Sequence, residues 1–237
     1  MPRSMLQLWQ TLRRIAPDVV MSFLNRANCA NIIAARLLGY RCVVSERVNT
    51  SSHFGNGLKA RLNKAVVRWL YPLADQVLVV SKGVGAELER NFGVPAQRLQ
   101  VIYNPYDLPK LAALAAETPA LQIDGDYIVS VGRLVPNKNF SLLIKAYQQA
   151  GLQEKLVILG EGPEQAALQQ LIADLQLQPR VILAGFLDNP YPIMSRARFA
   201  VFSSLAEGFP NAMAEAMALS LPVVATDCES GPAEILH

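Results

Sequence analysis

An alternation of short apolar bursts with longer helical stretches is the feature that most narrows what this chain can fold into. Residues 6–15 have helical spacing and stop at the break around Pro17, after which VVMSF at 19–23 reads as a buried strand. A helix over 28–38 closes at Gly39, 41–45 is a strand, 58–71 is an amphipathic helix ending before Pro72, and 76–80 is a strand. Ser81 is placed to cap a helix over 82–91, and 99–103 is a short strand. This rhythm implies a parallel sheet covered by helices on both faces.

The rhythm pauses over 104–125, where Pro105, Pro109, Pro119 and Gly125 surround an alanine-rich helix candidate. The pause reads as an interdomain linker between a first domain over 1–103 and a second over 126–237. The second domain offers strands at 127–131, 155–159, 180–184, 199–203 and 222–226. Its helices fall at 140–150, 164–175, near 192–197 and at 211–219, with a last one beginning at Pro232. The expected class is α/β, with two Rossmann-like doubly wound domains. Both are expected to be incomplete, because the chain opens on a helix and stops as another begins. The two halves share element order but no sequence repeat.

The formal net charge of +3 is unevenly spread. Residues 1–125 carry 15 Lys and Arg against 8 Asp and Glu, and residues 126–237 carry 7 against 11. The basic half suits an anionic membrane or a phosphate-bearing substrate; a solvated surface gives the same count. Cys29, Cys42 and Cys228 lack CxxC or metal-ligand spacing and read as buried, reduced thiols of a cytosolic protein. The N-terminal stretch lacks the apolar core of a signal peptide, and no uncharged apolar run approaches the ~20 residues of a membrane helix. A cytoplasmic protein is expected, in peripheral contact at most with the inner face of the cell membrane, and with no nucleic-acid partner.

Two segments carry chemistry. In VGRLVPNKNF (131–140) a strand ends at Gly132, and Arg133 and Lys138 flank a loop before a helix. In doubly wound sheets ligands bind beyond the carboxyl ends of strands, where an Arg fork and a Lys point charge can grip a diphosphate. The plainer reading is a strand-end loop with solvated cations. In 203–227, Glu207 lies in a loop, Gly208, Phe209 and Pro210 form a tight turn, and Asn211 starts a helix whose free amides suit an anion. Glu215 lies one turn into that helix. Two carboxylates beside a phosphate site make sense if they accept hydrogen bonds from hydroxyls, one on a sugar and one on a ribose. A ligand with hydroxyls at both ends and a diphosphate between is a nucleotide sugar. Taken singly, Glu207 is also readable as a loop charge and Glu215 as a solvent-facing helix residue.

The stretch EGFPNAMAEAMA resembles the Glu-x7-Glu motif of retaining GT-B glycosyltransferases, family 4 in particular, with Glu207 and Glu215 at the required spacing. GRLVPNKNF resembles that family's diphosphate loop, and LGEGPE, VILAGF and SGPAEI follow in the family's order. APDVVMSF, VVSERVN, VLVVSKGV and VIYNPYD resemble its acceptor domain and interdomain crossing. The resemblance implies that Arg133 and Lys138 hold the donor diphosphate, with Gly132 at the strand end. Glu207 would contact the transferred sugar and Glu215 the ribose. Gly208, Phe209 and Asn211 belong to the turn that approaches sugar and phosphate, Gly160 and Gly162 to a loop near the nucleotide, and Phe186 to the base. The implied reaction takes a sugar from a UDP-sugar type donor to a glycan or lipid-linked acceptor, with retention and without a metal or other cofactor. The family's opening strands, its glycine-rich loop and its closing elements are not matched, so a fragment is expected, weaker in its first half. Many members carry a catalytic histidine in the first domain; here there are only His53, read as an exposed loop residue, and His237.

Three lesser features have two readings each. Asp124-Gly125-Asp126 spells the metal motif of another glycosyltransferase fold, but its place before a strand favours a turn. Arg47 follows a strand end and would meet an acceptor phosphate, or else pair with Glu46. Helix 58–71 has Leu58, Leu62, Val66, Trp69 and Leu70 on one face, expected to pack on the core, and a stripe of Arg61, Lys64 and Arg68 that suits anionic lipid. Two other functional readings compete: a non-catalytic nucleotide-binding remnant, and a glycoside hydrolase using Glu207 and Glu215.

Overall fold

A computed structural model describes residues 2–55 and 57–236. The chain divides into two compact units, Met1–Asn104 and Pro105–His237. The stretch expected as a linker therefore belongs, from Pro105 on, to the second unit.

The first unit runs α1 (Pro2–Ile15), β1 (Val19–Phe23), α2 (Asn25–Leu38), β2 (Arg41–Glu46), α3 (Thr50–Phe54), α4 (Leu58–Leu70), β3 (Gln76–Val79), α5 (Lys82–Phe92) and β4 (Leu99–Val101). The four strands are parallel and lie in the order β1-β2-β3-β4. Its buried apolar residues include Cys42 and Val44 of β2, Val77 and Val79 of β3, Ile32 of α2, and Val84 and Leu88 of α5. Local sequence sets the helix ends. The left-handed Gly39 (φ 80°) stops α2, and the Ser81 side chain accepts from the Val84 amide to start α5.

Three expectations change in this unit. His53 lies in the short helix α3, exposed as expected but not in a loop; His237 lies outside the described residues. The apolar face of α4 does not pack on the core: the helix buries Ala60 and Val67, while Leu58, Leu62, Val66 and Trp69 are exposed. Of this unit's cysteines Cys42 is buried and Cys29 half-buried, and Cys228 in the second unit is half-buried as well. Burial still pushes the Cys29 and Cys42 thiols up to about 11, so both stay protonated at neutral pH.

The second unit runs α6 (Leu108–Ala115), β5 (Tyr127–Val131), α7 (Phe140–Ala150), β6 (Lys155–Leu159), α8 (Gln165–Asp174), β7 (Val181–Gly185), α9 (Tyr191–Met194), β8 (Ala200–Phe202), α10 (Asn211–Ala218), β9 (Val223–Ala225) and α11 (Pro232–Leu236). Its sheet is parallel, in the order β7-β6-β5-β8-β9. Period-two alternation splits the strands between two cores. Ile128, Leu156 and Ile158 pack with α7 and α8 on one face, and Tyr127, Val129, Val157 and Leu159 pack with α9 and α10 on the other. Both units are Rossmann-like. The chain first winds from β5 through β6 to β7, then restarts on the other side at β8. The gap between the carboxyl ends of β5 and β8 is therefore the topological switch point, where such sheets bind ligands.

Among the described residues no helix is long and apolar enough to cross a membrane, and no cluster of His, Cys, Asp and Glu could hold a metal ion. In the DxD stretch, Gly125 takes a left-handed turn (φ 78°) and Asp126 pairs with Arg198 at 3.2 Å.

Candidate functional site

The loops after β5 and β8 are tied together at the switch point. The Asn137 amide group donates to Ala206 O at 2.6 Å, the Leu205 amide donates to Asn137 O at 2.9 Å, and the Ser203 hydroxyl donates to Lys138 O at 2.8 Å. This lacing brings Lys138 Nζ to 2.5 Å from Glu207 Oε1, an oxygen that also accepts from the Ser204 hydroxyl at 2.6 Å. Gly132 leaves room for the lysine stem: a Cβ there would lie 3.4 Å from Lys138 Cδ. Arg133, by contrast, is exposed and makes no side-chain hydrogen bond or ion pair among the described residues. A fixed cation and a free one thus stand at the end of β5.

Gly160 and Gly162 have a structural reason to be glycine. A Cβ on Gly160 (φ 139°) would lie 2.0 Å from Gly132 O, and one on Gly162 would lie 2.3 Å from Leu134 O. The loop after β6 lies backbone to backbone on the loop after β5, joined by Leu134 N–H donating to Glu161 O at 2.9 Å and Glu164 N–H to Leu134 O at 3.0 Å. Gly160 N–H also donates to Gly185 O at 2.7 Å, which sets Phe186, 65% exposed, beside the same rim.

At the start of α10, Asn211 is helical and its side chain does not cap. Instead its Oδ1 accepts from the Tyr106 hydroxyl at 2.7 Å, and Tyr106 stacks on Phe209 with ring centroids 6.5 Å apart. Glu215 is half-buried rather than solvent-facing, and the Tyr191 hydroxyl is its hydrogen-bond partner. Burial raises the Glu215 carboxyl above the ordinary carboxylate value, and the tyrosine hydrogen bond offsets part of that rise. The segment after β9 closes over Glu207. The Ser230 hydroxyl donates to Glu207 O, and a Cβ on Gly231 would lie 2.6 Å from Pro210 Cδ. Cys228 lies close enough to Glu207 and Lys138 to feel both charges; burial is the largest cause of its raised thiol value.

Seven positions named from the sequence, Gly132, Arg133, Lys138, Glu207, Gly208, Phe209 and Asn211, thus fall on the two switch-point loops and the start of α10, with Glu215 one turn further. Arg47 is in the first unit, at the end of β2. It does not pair with Glu46: its guanidinium donates to Asn104 Oδ1, while Glu46 Oε2 accepts from the Tyr71 hydroxyl at 2.7 Å. Sequence reasoning missed Ser204, Tyr106, Tyr191 and Ser230. Only Tyr106 and Ser230 had a signal, lying within the quoted stretches VIYNPYD and SGPAEI.

Comparison with known proteins agrees with this architecture. The family model described as Glycosyltransferase Family 4 matches residues 1–110, and that described as Glycosyl transferases group 1 matches 125–237. The chain is 39% identical over 226 residues to N-acetylgalactosamine-N,N'-diacetylbacillosaminyl-diphospho-undecaprenol 4-alpha-N-acetylgalactosaminyltransferase of Campylobacter jejuni, covering 94% of this chain and 61% of that protein. It is 31% identical over 246 residues to an uncharacterized glycosyltransferase of Methanocaldococcus jannaschii, covering 97% and 60%. The chain thus spans about 60% of the length of these relatives. Anabaena HepE, solved in complex with UDP, superposes with a TM-score of 0.80 at 24% identity, over 98% of this chain and 65% of that one, and shares the fold.

Proposed function

The chain belongs to the family 4, group 1 glycosyltransferases, and from that premise we propose that its second unit binds a nucleotide sugar of the UDP-sugar type. The sugar passes, with retention, to a glycan or lipid-linked acceptor during synthesis of a cell-surface polysaccharide or glycolipid. The observation that carries this reading is the meeting of Lys138 and Glu207 at the β5/β8 switch point. The UDP bound by HepE supports the nucleotide, and the diphospho-undecaprenol in the name of the Campylobacter relative supports the acceptor class. A lipid-linked acceptor would bring the protein to the cytoplasmic face of a membrane.

Each residue then has a task. Arg133 and Lys138 take the diphosphate, with the free amides at the start of α10 adding to the positive field. Breaking the bond from the anomeric carbon leaves its electron pair on the diphosphate, and these charges stabilise it, so the proposed reaction needs no metal. Lys138 is shared between Glu207 and the phosphate, which leaves the Glu207 carboxylate to accept from a sugar hydroxyl. Glu215 accepts from the ribose, steadied by Tyr191. Phe186 offers a flat apolar surface to the base. Arg47 is proposed to meet the acceptor phosphate from the first unit. A glycoside hydrolase would use the two carboxylates but leave Arg133 and Lys138 without a role.

Isothermal titration of UDP into the protein tests the reading. Wild type should bind, and Arg133→Ala should lose about 1.5–3 kcal/mol, as expected for a charge-assisted contact. Equal UDP affinity in the two proteins would remove the donor assignment.

A further inference from the structure

The turn that opens α10 is held by a residue about a hundred positions earlier in the chain. Tyr106 is the second residue of the second unit. Its hydroxyl donates to Asn211 Oδ1 at 2.7 Å, and its ring stacks on Phe209 with 28° between the planes. Tyr106 itself stands on fixed backbone. Pro105 before it has its φ locked by the pyrrolidine ring, and Asp107 after it caps α6, its side chain accepting from the Lys110 amide at 3.0 Å. The segment before α11 presses on the same turn, where a Cβ on Gly231 would lie 2.6 Å from Pro210 Cδ. Pro210 offers no side-chain acceptor to α10, whose own bonds begin with the Met213 and Ala214 amides donating to Pro210 O at 3.0 and 3.1 Å. The Asn211 and Ala212 amides therefore have no acceptor within the helix. The Asn211 oxygen is the nearest side-chain acceptor for such amides, but Tyr106 occupies it. A side-chain amide is planar, so fixing Oδ1 on the tyrosine also fixes the direction in which Nδ2 donates.

We propose that Tyr106 is a positioning residue for the donor's diphosphate. Its hydroxyl sets the Asn211 side-chain amide and its ring sets the Phe209 turn, so that the opening of α10 meets a phosphoryl oxygen already ordered. Tyr106 acts through Asn211 and the turn, not on the donor itself. Without the hydroxyl, Asn211 Oδ1 is released to bond the nearby α10 amides, as short polar side chains do, and so competes with the phosphate for them. A tyrosine suits the task because it has only two rotatable χ angles, and little freedom is lost in holding it. A purely mechanical role, fastening α6 to the rest of the unit, would need the ring but not the bond to Asn211. The inference rests on the donor reading above and adds to it a residue that lies outside both switch-point loops.

Titration of UDP and of uridine into the whole chain tests it, with urea melts alongside. Tyr106→Phe keeps the ring and removes only the hydroxyl. It should weaken UDP about three- to tenfold, the effect of one hydrogen bond, while uridine affinity and the melting midpoint stay at wild type. Tyr106→Leu removes the ring as well and should weaken UDP further. In an Asn211→Ala background the hydroxyl has no oxygen to hold, so Tyr106→Phe should then change UDP affinity by less than about twofold. Equal UDP affinity in wild type and Tyr106→Phe overturns the proposal. So does an equal loss toward UDP and uridine, or full additivity with Asn211→Ala, since the tyrosine would then only fasten α6. A wild type that binds no UDP removes the donor reading and this inference with it, so the wild-type titration alone tells the two failures apart.

Discussion

Lys138 Nζ and the Ser204 hydroxyl converge on one oxygen, Oε1 of Glu207, at 2.5 Å and 2.6 Å. The lysine and glutamate side chains are only 24% and 12% exposed, so the pair is more shielded from water than a surface salt bridge. Removing the cation leaves a largely buried carboxylate with one neutral donor. Lys138→Met is expected to lower the unfolding free energy by about 1–3 kcal/mol. Ser204→Ala should cost about 0.5–1.5 kcal/mol. Urea melts of the two variants check the order, and an unchanged Lys138→Met would mean that the ion pair contributes nothing.

The two glutamates should separate in kinetics. In a form of the protein that transfers sugar, Glu207→Gln is expected mainly to lower kcat, because its proposed role is on the reacting sugar. Glu215→Gln should mainly raise the donor KM, because its proposed role is to hold the ribose. Tyr191→Phe should follow Glu215→Gln with a smaller effect. Wild-type kinetics in both glutamate variants would end the assignment of either.

Gly160 and Gly125 provide a matched pair for stability. Both have positive φ, but a Cβ on Gly160 would strike Gly132 O at 2.0 Å, whereas one on Gly125 would have nothing within 4 Å. Gly125→Ala should cost roughly 1 kcal/mol, the conformational strain alone. Gly160→Ala should cost more than about 3 kcal/mol, because two backbone loops must separate. Calorimetric melting of both proteins distinguishes strain from collision.

Burial of Glu46 gives stability a pH slope. Desolvation raises its carboxyl above the ordinary 4.5, outweighing the hydrogen bonds from Tyr71 and the Arg47 and Val48 amides. The native state therefore holds this proton to a higher pH than the unfolded chain does. The stabilising contribution is complete below about 4.5 and is lost as pH rises through the native value. Glu46→Gln should flatten the fall in stability above that point. Denaturation series at stepped pH check it, and an equally steep fall in the variant would place the slope elsewhere. Glu215, raised in the same direction, keeps its own share in both proteins.

Where apolar bursts stood between proline and glycine, the sequence was legible to the residue: Val19–Phe23, Tyr127–Val131, Phe140–Ala150 and Lys155–Leu159 have the bounds expected of them. Helix α3 was not, because TSSHF has no periodicity and depends on Asn49, whose side chain accepts from the Ser52 amide. Amphipathicity in α4 was plain, but a helical wheel does not say which side meets the neighbours; small Ala60 and Val67 were chosen over the larger ridge. At the site, the Lys138 and Glu207 positions followed from strand ends and motif spacing. The hydroxyl partners did not: Tyr191 reaches Glu215 only through tertiary folding, and Ser204 reaches Glu207, three residues on, only through the turn their loop takes.

Tyr106 and the helix behind it bear on where this protein can be divided. Leu111 is buried, Asn189 donates to Leu114 O and to Glu117 Oε2, each at 2.9 Å, and the Tyr106 ring lies over Phe209. A second unit excised at its first strand, Tyr127, would lose the aromatic ring over its own turn and the acceptors for Asn189. The same half cut at Pro105 would keep both. For exchanging this unit between related proteins, the crossover belongs some twenty residues earlier than the strand pattern suggests, and a chimaera joined at the later point would inherit one protein's turn with the other protein's tyrosine.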